Sequence, residues 1–127
     1  MSILLNHTIV WCRDKARSAA FLSEMLGLPQ PTPFGPFLVV QVDNAVSLDF
    51  HDTAGKISPQ HYAFLVAEED FDAIFARIRV RSWQYWADPG KQHAGEINHH
   101  DGGRGLYFED PDGHWLEIIT RPYGSNP

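Results

Sequence analysis

RGLYFEDPDGHWLEIITR, residues 104–121, sets two runs rich in aromatic and β-branched residues on either side of Asp110-Pro111-Asp112-Gly113. Proline fixes φ inside a turn and glycine adopts φ > 0 without a steric penalty, so the stretch is a β-hairpin. Side chains alternate along a strand, which puts Leu116 and Ile118 on one face and Trp115, Glu117 and Ile119 on the other. Glu117 is thus an acid in a mostly apolar row. Desolvating a carboxylate there costs several kcal/mol unless a cation or a set of hydrogen bonds compensates.

Outward from the hairpin, the chain repeats itself. Leu4–Trp11 reads as a strand, and Asp14 caps a helix that runs to Leu26, with Phe21, Leu22, Met25 and Leu26 as its buried stripe and Gly27 as its stop. Residues 29–36 hold four prolines and read as irregular. Phe37–Val42 and Ala45–His51 are strands joined across Asp43-Asn44. The pattern then restarts with a strand over His61–Ala67, a helix marked by Phe71, Ile74, Phe75 and Ile78, a strand over Ser82–Trp86, and the hairpin. A shift of 54 positions lays His7 on His61, Val10 on Phe64 and Phe21 on Phe75. Each half also ends on an acid between apolar residues, Asp49 in the first and Glu117 in the second. The expected architecture is a single α+β domain, residues 1–127, made of two modules over about 3–52 and 58–121. Residues 87–103 are polar and glycine-rich, which suits a lid or rim loop.

Bulk properties narrow the functional classes. The 127 residues are 43% hydrophobic and 13% aromatic, enough for a packed core. A formal charge of −6 argues against nucleic acid or an anionic membrane as partner. One cysteine, Cys12, excludes an intrachain disulfide framework, and MSILLNHTIV is not a signal peptide, so the cytoplasm is the expected compartment. No apolar run is long enough to span a bilayer.

Alternation sorts the chemistry onto one face. Tyr62, Phe64 and Val66 form the bulky row of their strand, which leaves His61, Ala63 and Leu65 on the opposite side. The same sorting separates Leu48 and Phe50 from Ser47, Asp49 and His51, and sets His7 beside Ile9 and Trp11. Four strands therefore offer His7, Asp49, His61 and Glu117 to one concavity. Two imidazoles with one or two carboxylates suit a divalent transition metal and leave positions open for substrate or water. Taken singly, each has a simpler role: a strand histidine can be a rim residue, and a terminal-strand acid can pair with Arg121. Trp11, His51, Arg104, Trp115 and Arg121 are candidate substrate contacts, with Glu117 or Asp49 as candidate base.

Three pieces carry a family likeness: Asn6-His7-Thr8, HYAFLVAEEDF at 61–71, and YFEDPDGHWLEI at 107–118. The chain resembles the vicinal oxygen chelate superfamily, which contains glyoxalase I, fosfomycin-resistance thiol transferases, extradiol dioxygenases and bleomycin-resistance proteins. The likeness implies paired βαβββ modules in a cupped mixed sheet with helices on its outer face, and metal ligands at His7, His61 and Glu117, with Asp49 at the position of a fourth. It implies zinc, nickel, manganese or iron, a thiol such as glutathione as possible co-substrate, and a homodimer whose site lies at or near the interface. The expected activity is chelation of a small oxygen-bearing substrate with stabilisation of an oxyanion or enediolate, as in a glyoxalase-like lyase or isomerase or a thiol transferase. An Fe(II) extradiol-type dioxygenase, or a non-catalytic binder of an antibiotic or aromatic ligand walled by Trp11, Trp86 and Trp115, would use the same cup.

Overall fold

Strand β1, His7–Cys12, alternates as its sequence dictates, with Val10 and Cys12 buried and His7, Ile9 and Trp11 exposed. These positions come from a computed structural model that describes residues 2–125 and divides into two compact units between Ser58 and Pro59. In the first unit β1 leads to helix α1, Lys15–Leu26. The Asp14 carboxylate accepts from the Ala16 and Arg17 amides at 3.1 and 3.3 Å, a cap of about 1 kcal/mol. Gly27, at φ 70°, ends the helix in the left-handed region. Strands β2 (Thr32–Phe34), β3 (Phe37–Gln41) and β4 (Ser47–Asp52) complete a sheet of order β1-β4-β3-β2, in which only β1 and β4 run parallel. Helix α1 packs on β3 and β4, burying Ala19, Phe21, Leu22 and Met25 with Val40, Leu48 and Phe50.

Three expectations need correction in this unit. The strand begins at His7, not Leu4, and Ile3, Leu4 and Leu5 are exposed. The proline-rich segment contains β2, an edge strand where a missing amide is tolerated on the unpaired side. The hairpin loop takes in Ala45, which turns at φ 64°, while Val42 donates its amide to the Val46 carbonyl.

The second unit repeats the plan with β5 (His61–Leu65), helix α2 (Glu68–Val80), β6 (Gly105–Glu109) and β7 (Trp115–Ile119), in the order β5-β7-β6. Strand β5 runs parallel to β7, and β6 antiparallel. Glu68, Glu69 and Asp70 occupy the first turn of α2 and Arg77 and Arg79 its last, each complementing the helix dipole. Phe71, Ile74 and Ile78 are buried, as are Leu106, Phe108, Leu116 and Ile118 of the sheet. The hairpin turn is held by Asp110, whose Oδ1 accepts from the amides of Asp112 (2.9 Å) and His114 (2.8 Å), with Gly113 at φ 88°. Ser82–Trp86 is not a strand; only Trp86 makes ladder bridges, to Ala94 and Tyr107. Residues 87–103 are tied down at Asn98, which exchanges two backbone hydrogen bonds with Gly105, so the segment is a fastened rim.

The internal repeat is visible in the strand registers. Ile9 lies opposite Asp49 in one sheet and Ala63 opposite Glu117 in the other, so each acid faces the residue two places after its module's histidine. The α+β, glyoxalase-like class expected from the sequence is the class observed. Among the described residues no helix is long and apolar enough to cross a membrane.

Candidate metal centre

Glu117 is 1% exposed, although it belongs to the sheet face that carries His61 and Tyr107 rather than to the row of Leu116 and Ile118. Its Oε1 lies 3.0 Å from Nε2 of His61, and the Tyr123 hydroxyl donates to both carboxylate oxygens, at 2.8 and 3.1 Å. Tyr107 lies across from Glu117 on β6, on the same sheet face. Burial first, then the Tyr123 hydrogen bond and the Glu117 charge, push the Tyr107 phenol far above its ordinary range. Burial, followed by its hydrogen bond to Glu117, raises Tyr123 as well. Both phenols therefore stay protonated as donors at neutral pH.

The His61 ring explains what this carboxylate can hold. Nδ1 lies 2.9 Å from the Trp115 carbonyl, which can only accept, so Nδ1 carries a proton. In the neutral ring Nε2 then presents a bare lone pair to Glu117. Two acceptors at 3.0 Å repel unless a cation lies with them, either a proton on Nε2 or a metal ion bound by both. An imidazole nitrogen and a carboxylate oxygen, with the ring oriented through its other nitrogen, fit a divalent transition metal.

His7 and Asp49 belong to the first unit and line one pocket there, of about 430 Å³, with Asn6, Ile9, Phe34, Phe37 and Ser47 among its walls. His7 Nδ1 donates to Asn6 Oδ1 at 2.8 Å, so in the neutral ring the lone pair lies on Nε2, as in His61. Asp49 is 8% exposed and its Oδ1 accepts the Ser47 hydroxyl at 2.8 Å. The rings of Trp11 and His51 pack in a tilted pair at 4.9 Å on this sheet, and Nδ1 of His51 donates to the Asp52 carbonyl. Among the described residues no group of three or more His, Cys, Asp or Glu is placed to hold a metal ion; His7 and Asp49 belong to the first unit and His61 and Glu117 to the second.

The remaining candidates divide. Trp115 stacks on Tyr107 at 5.7 Å and packs against Trp86 at 5.2 Å, and its buried indole N–H has no acceptor among the described residues. Arg104 is turned toward α2: it pairs with Glu68 and Asp72, each at 2.8 Å, and lies over the Phe71 ring, so its guanidinium is engaged by the helix. Arg121 is exposed and runs its stem past Gly103. Two features had escaped the sequence reading. The Tyr123 bond to Glu117 had only nearness in sequence to suggest it. Lys91 places its ammonium over Trp86 and Trp115 at 5.1 and 5.2 Å and pairs with Glu109.

Comparison with known proteins places this geometry. The sequence model of the Glyoxalase/Bleomycin resistance protein/Dioxygenase superfamily matches residues 4–118. The chain belongs to this superfamily. Among solved structures, oxidase ChaP-H1 is 62% identical with a TM-score of 0.95, over 97% of this chain and 99% of that one. Oxidase ChaP-H2 is 60% identical with a TM-score of 0.97 over the whole of both chains. Glutathione transferase FosA of Serratia marcescens is 35% identical over 121 residues, covering 90% of this chain and 78% of that protein. The superfamily thus supplies this chain with both oxidase and transferase relatives.

Proposed function

We propose that the protein is a metal-dependent oxidase of a small, oxygen-bearing substrate, with His61 and Glu117 of one chain and His7 of a second copy as the ligands of the ion. One observation carries the reading: a carboxylate that is 1% exposed faces, at 3.0 Å, an imidazole nitrogen whose ring is oriented by a backbone carbonyl. Two histidines and one carboxylate with open positions are the donor set of non-haem iron(II) oxygenases. Identities of 62% and 60% to two oxidases, against 35% to a transferase, favour oxidation over isomerisation, lysis or thiol transfer.

Bound there, iron(II) would supply Lewis acidity toward substrate oxygens and electrons for dioxygen. The chain's own part is to hold and orient. The Trp115 carbonyl fixes the His61 tautomer, and Tyr107 and Tyr123 fix the carboxylate without neutralising it. Tyr107, Trp115 and Trp86 pack together on the sheet face that carries Glu117 and restrict water there. The unpaired indole N–H of Trp115 offers a donor to a substrate oxygen. Asp49, with one oxygen already accepting from Ser47, serves this reading as a polar wall and candidate base rather than as a ligand.

The test is oxygen uptake. Protein loaded anaerobically with iron(II) and given a catechol or hydroquinone should consume dioxygen. His61→Ala and Glu117→Gln should lose at least about 100-fold, beyond the 10–100-fold usual for outer partners of a metal. No uptake, with glutathione consumed instead under argon in the presence of an epoxide, would move the function to thiol transfer.

A further inference from the structure

Tyr123 is 66% exposed, yet its hydroxyl reaches a carboxylate that is 1% exposed. A tyrosine that served packing would bury its ring; this one leaves the ring largely in solvent and delivers only the hydroxyl. The turn that aims it is built locally. The Ser125 amide donates to the Pro122 carbonyl at 3.2 Å, and Gly124 takes φ 71°, a conformation that favours glycine. The terminal torsion of a glutamate is broad and poorly fixed by its own backbone. One hydroxyl shared between Oε1 at 2.8 Å and Oε2 at 3.1 Å fixes it. The oxygen nearer Tyr123, Oε1, is also the one that faces His61 Nε2.

We infer that Tyr123 is a positioning residue for Glu117, holding the plane of the carboxylate so that Oε1 stays directed at the His61 nitrogen. Its importance for function rests on the metal-centre reading above; its hold on Glu117 does not. The C-terminal turn thereby becomes part of the site, and a chain cut after Arg121 would keep both strand-borne ligands while losing their alignment.

Two measurements test this on the full chain. In metal-free protein, Tyr123→Phe, Glu117→Leu and the double variant form a cycle read by urea midpoint; Tyr123→Phe should shift the midpoint when Glu117 is present and less when it is Leu, which offers the hydroxyl no acceptor. Cobalt(II) titration should then show about 10–100-fold weaker binding in Tyr123→Phe, with an altered visible absorption band, as for loss of an outer partner. Tyr85→Phe, which removes a hydroxyl bonded to Gly95, should match the parent in cobalt affinity and spectrum. Additivity in the cycle, or cobalt binding by Tyr123→Phe with unchanged affinity and spectrum, overturns the inference. Failure of the parent to bind cobalt while the cycle still couples overturns the metal centre and leaves the hold of Tyr123 on Glu117 standing.

Discussion

Glu117→Gln separates a carboxylate kept for function from one kept for stability. The side chain is 1% exposed, so the charge has lost nearly all contact with water, which costs several kcal/mol. Against this, each hydrogen bond to a charged group contributes about 1.5–3 kcal/mol. Glutamine keeps an acceptor oxygen for Tyr123 and turns an amide N–H toward the bare Nε2 of His61, replacing a repulsion at 3.0 Å with a hydrogen bond. The metal-free variant should therefore be as stable as the parent or more stable by up to about 2 kcal/mol, within the range found when buried ions are replaced. For a domain of this size that is a rise of roughly 0–10 °C in melting temperature. The assay is thermal melting in chelator, paired with equilibrium metal binding. The variant should melt no lower than the parent and hold no ion. A loss of more than about 2 kcal/mol, the scale for leaving buried donors unpaired, or full metal occupancy in the variant, would refute the reasoning.

Two further outcomes follow from geometry already described. Burial and the nearby charges of Asp110 or Glu117 raise the phenols of Tyr62, Tyr107 and Tyr123. Folded values above the unfolded value of about 10 stabilise fully below that pH, and the contribution is lost as pH rises through the folded values. Absorbance titration of phenolate should therefore fall short of the full four tyrosines until the protein unfolds in alkali; all four ionising together near pH 10 would contradict this. Arg104→Ala should cost about 1–2 kcal/mol, from two partly exposed ion pairs and one cation–π contact, and leave the Michaelis constant unchanged. A raised Michaelis constant with unchanged stability would return Arg104 to the substrate.

Much of this was legible in the chain because it is written in short-range pattern. Alternation alone set Leu116 and Ile118 apart from Glu117, and His61 apart from Tyr62, and the strand registers keep those faces. The Asp14 cap and Gly27 stop are local chemistry, and both lie where they were expected. The proline run concealed β2, because edge pairing is decided by the neighbouring strand and not by propensity. Ser82–Trp86 failed as a strand because its aromatic residues find partners singly: Trp83 donates its indole N–H to the Glu109 carbonyl and Tyr85 packs against Phe75. The ion pairs of Arg104 were not legible because the two acids that take its guanidinium lie 36 and 32 residues away. Tyr123 lies in a turn with no period, so nothing short of coordinates links it to Glu117.

The central claim is that Glu117 and His61 share a metal ion, and anomalous diffraction from crystals of metal-replete protein tests it most directly. The account predicts one anomalous peak per chain at about 2.0–2.2 Å from His61 Nε2 and a Glu117 oxygen, with His7 of a second copy completing the set. Active protein whose ion lies away from that carboxylate, or that carries no ion, would contradict it.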